Sequence, residues 1–192
     1  LSFDAILQLA TTLALVVYFW KDVLKLINTF FDLILKRNID RKDKILFFGI
    51  LIGTIPAVIF GLLLENQMAT AFRNVNLVAI TLILGSGLFA FAEYVSKSVY
   101  QKGNAWSQNT VSVWKPLSIG RGVLIGFFQV LALFPGVSRS GATISGGLLS
   151  GLSKDDAVRF SFLLSIPILL GSGMKKLFEI RNDIFSTGFG LS

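Results

Sequence analysis

Long apolar runs alternate with short polar tracts along the chain. The cleanest run, residues 45–64, has 20 positions without a charge, enough for a helix to cross a hydrocarbon core of roughly 30 Å. Before it, residues 3–20 are nearly as apolar and end in Tyr18-Phe19-Trp20 followed by Lys21, the pattern of a membrane interface. Residues 24–35 are expected to continue that segment along the membrane surface. Further apolar runs follow at 77–92, ended by Glu93, then at 117–134 and 157–174. Pro56 and Pro167 are expected to kink their helices. The pattern predicts an all-α integral membrane protein, a polytopic helical bundle.

Small residues recur four apart at Gly49/Gly53, Gly122/Gly126 and Gly147/Gly151. That spacing puts both members on one helix face and lets backbones approach closely.

Composition supports the same class: of 192 residues 53% are hydrophobic and only 15% charged. The net charge of +7 does not indicate nucleic acid, because the basic residues sit in short tracts between apolar runs, where they orient a protein in lipid. Residues 36–44 carry five basic side chains against two acidic ones, which places that loop in the cytoplasm. The loop 65–76, with one charge of each sign, is expected outside, and 97–115 is expected to return to the cytoplasm. Cysteine and histidine are absent, which excludes disulfides, imidazole catalysis and Cys/His zinc sites within this stretch. The chain opens without Met or a signal peptide and closes soon after an apolar run, as a fragment would.

The candidate chemistry lies in the stretch FQVLALFPGVSRSGATISGGLLSGL, residues 128–152. The run 117–134 is stopped by Pro135, and the helical run after it, 141–152, is only 12 residues, about 18 Å at 1.5 Å per residue. Too short to cross, it is expected to be the second arm of a re-entrant hairpin whose tip, at Pro135 and Gly136, lies at membrane depth. Ser138 or Ser140 caps the second arm and leaves free backbone N–H groups at its positive end. Arg139 adds a planar fork of donors suited to phosphate oxygens, and Thr143 adds a hydroxyl one turn on. The alternative for Arg139 is an arginine snorkelling to headgroups or satisfying helix carbonyls. Gln8, polar within the first apolar span, either faces the site or bonds between helices. Asp155 and Asp156 are expected in a solvated turn.

FPGVSRSGATISGG, followed by AVRFSFLLSIPILLG, resembles the signature region of the undecaprenyl-diphosphate phosphatase (bacitracin-resistance) family. FDAILQLATTLALVVYFW and GTIPAVIFGLL are similar to that family's corresponding helices, in the same order. The resemblance implies hydrolysis of undecaprenyl diphosphate to the monophosphate carrier and inorganic phosphate, in the bacterial inner membrane, at a site facing the periplasm. It implies an inverted-repeat architecture within one transmembrane domain, 1–192, with 1–95 the end of the first repeat and 117–192 the start of the second.

On this resemblance Arg139 stabilises charge on the transferred phosphoryl group. Ser138 and Ser140 are phosphate ligands, one of them alternatively a nucleophile, and Gly136, Gly141, Thr143 and Gln8 contribute to substrate binding. Glu93 also matches a family glutamate and reads as slightly more structural than catalytic. A divalent cation, Mg²⁺ or Ca²⁺, is implied by the resemblance alone, and the sequence offers no metal-ligand cluster of its own. The partners implied are a polyprenyl diphosphate lipid and membrane lipids, without nucleic acid; association as a homo-oligomer is left open. The family's Glu-x-x-x-Glu pair and Ser-Ser-Thr-Gly-His turn do not occur in the sequence, so this stretch alone is expected to be inactive. The rival from another class is a polyprenyl-phosphate transporter or flippase, since broken helices and inverted repeats also serve transport. One tension follows from the hairpin: it sends 157–174 outward and puts Lys175 and Lys176 outside, where charge alone would not place them.

Overall fold

The computed structural model describes residues 2–65, 67, 74–102 and 117–186. Most of the expected loops 65–76 and 97–115 lies outside the described residues, and 97–102 belongs to a helix. Every described element is helical: α1 Ser2–Tyr18, α2 Trp20–Ile34, α3 Arg41–Leu63, α4 Val75–Lys102, α5 Ile119–Leu131, α6 Arg139–Leu149 and α7 Lys154–Ser186. Three of them contain stretches long and apolar enough to cross a membrane, Arg41–Leu63, Val75–Lys97 and Lys154–Lys175. The fold is a polytopic helical membrane bundle.

Several boundaries differ from the apolar runs. The run 77–92 does not end its helix at Glu93, because α4 continues to Lys102. The Glu93 carboxylate is met by Lys97 at 3.3 Å and Lys154 at 2.9 Å. The charge therefore marks the edge of the apolar stretch, while the backbone ladder runs on. Likewise α7, with 33 residues, extends well beyond 157–174 at both ends. At its start Ser153 Oγ accepts from the Asp156 amide at 3.1 Å, and the Ser153 hydroxyl donates to the Asp156 carboxylate at 2.6 Å. Asp156 is thus 6% exposed and not solvated as its sequence setting suggested, because it closes a reciprocal cap; Asp155 is exposed.

α3 and α5 cross through their glycines and run in the same direction. A Cβ on Gly53 would lie 2.8 Å from the Gly122 carbonyl oxygen, and one on Gly122 would lie 2.8 Å from that of Gly49. Gly126 in turn meets Gly53, and further along Gly61 faces Leu133. Gly147/Gly151 does not form a third such pair. α6 ends at Leu149, and Gly151 sits beyond it at φ +86°, a left-handed turn position, with nothing near its missing side chain. Only Gly147 packs, against Ala157.

α1 lies antiparallel on α7. Leu9 meets Gly173, the rings of Phe19 and Phe162 lie 6.0 Å apart, and Asp22 at the start of α2 takes a two-pronged ion pair from Arg159. Asp22 is 6% exposed, and an acidic group so deeply placed is tolerable only with such a partner. α2 packs Val23 and Leu26 inward and leaves Trp20, Leu24, Ile27, Phe31 and Ile34 exposed at three- and four-residue spacing. Such a stripe suits a helix lying along lipid.

Candidate functional site

The site is built on the two short helices. α5 has 13 residues and α6 has 11, roughly 20 Å and 17 Å long, so neither spans the hydrocarbon core. They pack on each other, with Gly146 admitting the Phe128 ring, and form the expected hairpin. α5 stops at Leu131, before Pro135, and not at Phe134. The amides of Ala132, Leu133 and Phe134 donate three residues back, at 3.1, 3.0 and 3.2 Å. The tightening begins there because a residue preceding proline disfavours helical dihedrals.

The tip is pinned by α4. Gly136 has φ +95°, and a Cβ there would lie 2.5 Å from the Val78 carbonyl and 2.6 Å from Thr81 Oγ1, so only glycine fits. The Thr81 hydroxyl also contacts the Pro135 carbonyl. These contacts hold the tip against the first two turns of α4.

α6 begins two residues earlier than the run 141–152, because Ser138 is its cap: Ser138 Oγ accepts from the Gly141 amide at 3.2 Å. The amides of Arg139 and Ser140 stay at the open end of the helix. Ser140 Oγ lies 3.3 Å from Ser138 Oγ. The Arg139 guanidinium is half-buried, and no acceptor among the described residues pairs with it. Neither a helix carbonyl nor an ion pair among the described residues accounts for it. It borders a cavity of about 380 Å³ that also touches Gly136, Ser140, Thr11, Ser161 and Ser165.

Of the residues singled out in the sequence, Gly136, Arg139 and Ser140 therefore meet at this cavity. Ser138 and Gly141 stand at the same helix start but do not border it. Thr143 is 1% exposed and turned into the α6–α7 contact: its hydroxyl lies 2.9 Å from the Arg139 carbonyl and against Ser161 Oγ. Gln8 is one turn before Thr12, whose hydroxyl donates to the Gln8 carbonyl at 2.7 Å; Gln8 Oε1 is buried without a partner among the described residues.

Thr11, Ser161 and Ser165 were not singled out, although serines four apart on an otherwise apolar helix are a readable signal of a polar face. Gln129 was missed as well. It is 2% exposed, and neither end of its amide finds a partner among the described residues.

A second cavity, of about 410 Å³, lies between α2, α3 and α7 and is bordered by apolar side chains apart from Thr54. It carries no candidate chemistry. No group of three acidic, His or Cys side chains converges among the described residues. These residues do not fit a divalent cation by themselves.

Residues 1–191 match the family model described as bacitracin resistance protein BacA. The chain belongs to that family. It is 39% identical over 195 residues to an undecaprenyl-diphosphatase of Renibacterium salmoninarum, covering 97% of this chain and 65% of the relative. It is 40% identical over 191 residues to an undecaprenyl-diphosphatase of Mycolicibacterium smegmatis, covering 100% of this chain and 64% of the relative. An undecaprenyl-diphosphatase of Chloroherpeton thalassium is 35% identical over 188 residues, covering 97% and 65%. The chain thus spans just under two thirds of the length of these BacA-family relatives.

Proposed function

We propose that the full-length protein hydrolyses undecaprenyl diphosphate to undecaprenyl phosphate and inorganic phosphate. One observation carries the reading: Arg139, a half-buried permanent cation without an acceptor among the described residues, stands at the start of a helix whose first amides are open. Charge placed there is expensive and marks function, and the arrangement of fork and amides suits an anionic oxygen. The names of the relatives supply the substrate.

Phosphoryl transfer needs positioning and neutralisation of charge more than covalent chemistry from the protein. Arg139 would hold two oxygens of the transferred group, and the Arg139 and Ser140 amides would hold the oxygen facing the helix. Ser140, with Ser138 behind it at 3.3 Å, acts as a ligand or as the nucleophile. A base that would activate it is not among the described residues around the cavity.

The inner membrane, with the site open to the periplasm, belongs to the same reading. The basic tract 36–44 leads into α3, and α3 runs parallel to the inward arm α5, so the hairpin enters from the tract's side. The division into repeats at 1–95 and 117–192 follows this plan. Phosphate release from undecaprenyl diphosphate by the reconstituted full-length protein tests the function. Steady release is expected; flipping of the lipid between leaflets without release would replace the phosphatase by a transporter.

A further inference from the structure

Ser161 lies two turns into α7, two residues from the Arg159–Asp22 pair, and is 2% exposed. It borders the Arg139 cavity, and its Oγ touches Thr143 Oγ1. Thr143 in turn lies within hydrogen-bond distance of the Arg139 carbonyl, at 2.9 Å, and of the Ser140 carbonyl, at 3.3 Å. A hydroxyl has a single proton. If Thr143 donates to Arg139, the Ser161 proton must go to Thr143, and the chain runs from α7 through Thr143 to the first peptide group of α6.

We propose that Ser161 is a positioning residue that fixes the start of α6, and with it Arg139, by donating to Thr143. The other supports of this helix start are Ser138 within its own turn and Thr81 at the hairpin tip. Ser161 adds a link to a second membrane-crossing helix, α7, through the residue one turn after the arginine. Burial favours such a link, because a hydrogen bond shielded from water is electrostatically stronger and its loss leaves Thr143 with an unmatched acceptor. The kinetic side of this inference rests on the hydrolytic reading given above; its structural side does not.

Four forms of the full-length protein in detergent decide it: wild type, Ser161→Ala, Thr143→Val and the double variant. Ser161→Ala is expected to lower kcat about tenfold, the size of one hydrogen bond, with KM nearly unchanged. The same change is expected to be silent in the Thr143→Val background, because its path to Arg139 is already cut. Hydrogen exchange of the amides at 141–144 is expected to quicken in Ser161→Ala, while those of the glycine crossing in α3 stay protected. Unchanged exchange at 141–144, equal losses of rate in both backgrounds, or faster exchange spread evenly over α3 and α6 would each overturn the proposal. If Ser161→Ala does not fold, Ser161→Cys, of similar size and a weaker donor, carries the same comparisons. A wild type that releases no phosphate sinks the hydrolytic reading alone, and the exchange measurement still decides the role of Ser161.

Discussion

Lys175, on the far part of α7, pairs with Glu65 just beyond the end of α3. Lys175 and the end of α3 therefore lie at the same end of the bundle, opposite the basic tract 36–44 that precedes α3. With the tract 36–44 placed in the cytoplasm, Lys175 would lie on the side that charge counting disfavours, and its acidic partner would reduce the cost.

The arrangement predicts accessibility. With cysteine placed at residue 175 of the full-length protein, an impermeant maleimide is expected to label intact cells. Labelling only after permeabilisation would reverse the orientation.

Gly53→Ala is expected to destabilise the protein by about 1–3 kcal/mol, since its Cβ would fall on the Gly122 backbone, which cannot move aside cheaply. Gly87→Ala, with nothing within 4 Å of the added atom, serves as the control and is expected to be neutral or slightly stabilising. Thermal unfolding in detergent separates them. Equal midpoints would mean that the α3–α5 crossing is looser than described.

Arg139→Lys is expected to lose most activity although the charge is kept, because a point-like ammonium cannot reproduce a two-pronged fork. The loss should fall mainly on kcat if the arginine acts on the transition state. Wild-type kinetics would remove Arg139 from that role.

Gly141→Val and Ser140→Ala separate cradle from nucleophile. A Cβ on Gly141 would meet Ser138 Cβ at 3.2 Å and Oγ at 3.4 Å, so a branched side chain crowds the cap and the phosphate approach together. Phosphate release is expected to fall strongly, with monodisperse elution preserved. Ser140→Ala is expected to cost about 1–2 kcal/mol as a lost ligand, and several decades of rate if Ser140 is the nucleophile. A fully active Gly141→Val would refute the anion cradle.

The hairpin was legible in the sequence because its evidence is local. Pro135, Gly136 and a following run too short to span leave few alternatives in a membrane. Thr143 was legible as a hydroxyl but not as a buried one, because its direction depends on how α6 faces α7. Gly151 fell on a helical spacing from Gly147, yet the helix had already ended, and spacing carries no information about where a ladder stops.

The sequence by itself determined the class, the apolar spans, the hairpin and the placement of Arg139 at a helix start, because each follows from length, charge and dihedral preference within a few neighbouring residues. Only the tertiary structure decided that α3 and α5 run parallel through interlocked glycines, that Asp22 and Arg159 pair across 137 positions, and that Thr11, Ser161 and Ser165 border the same cavity as Arg139. These are relations between helix faces distant in sequence. Inside a membrane every helix has satisfied its own backbone, so which faces meet is settled by side-chain shape and the few polar groups that must find one another.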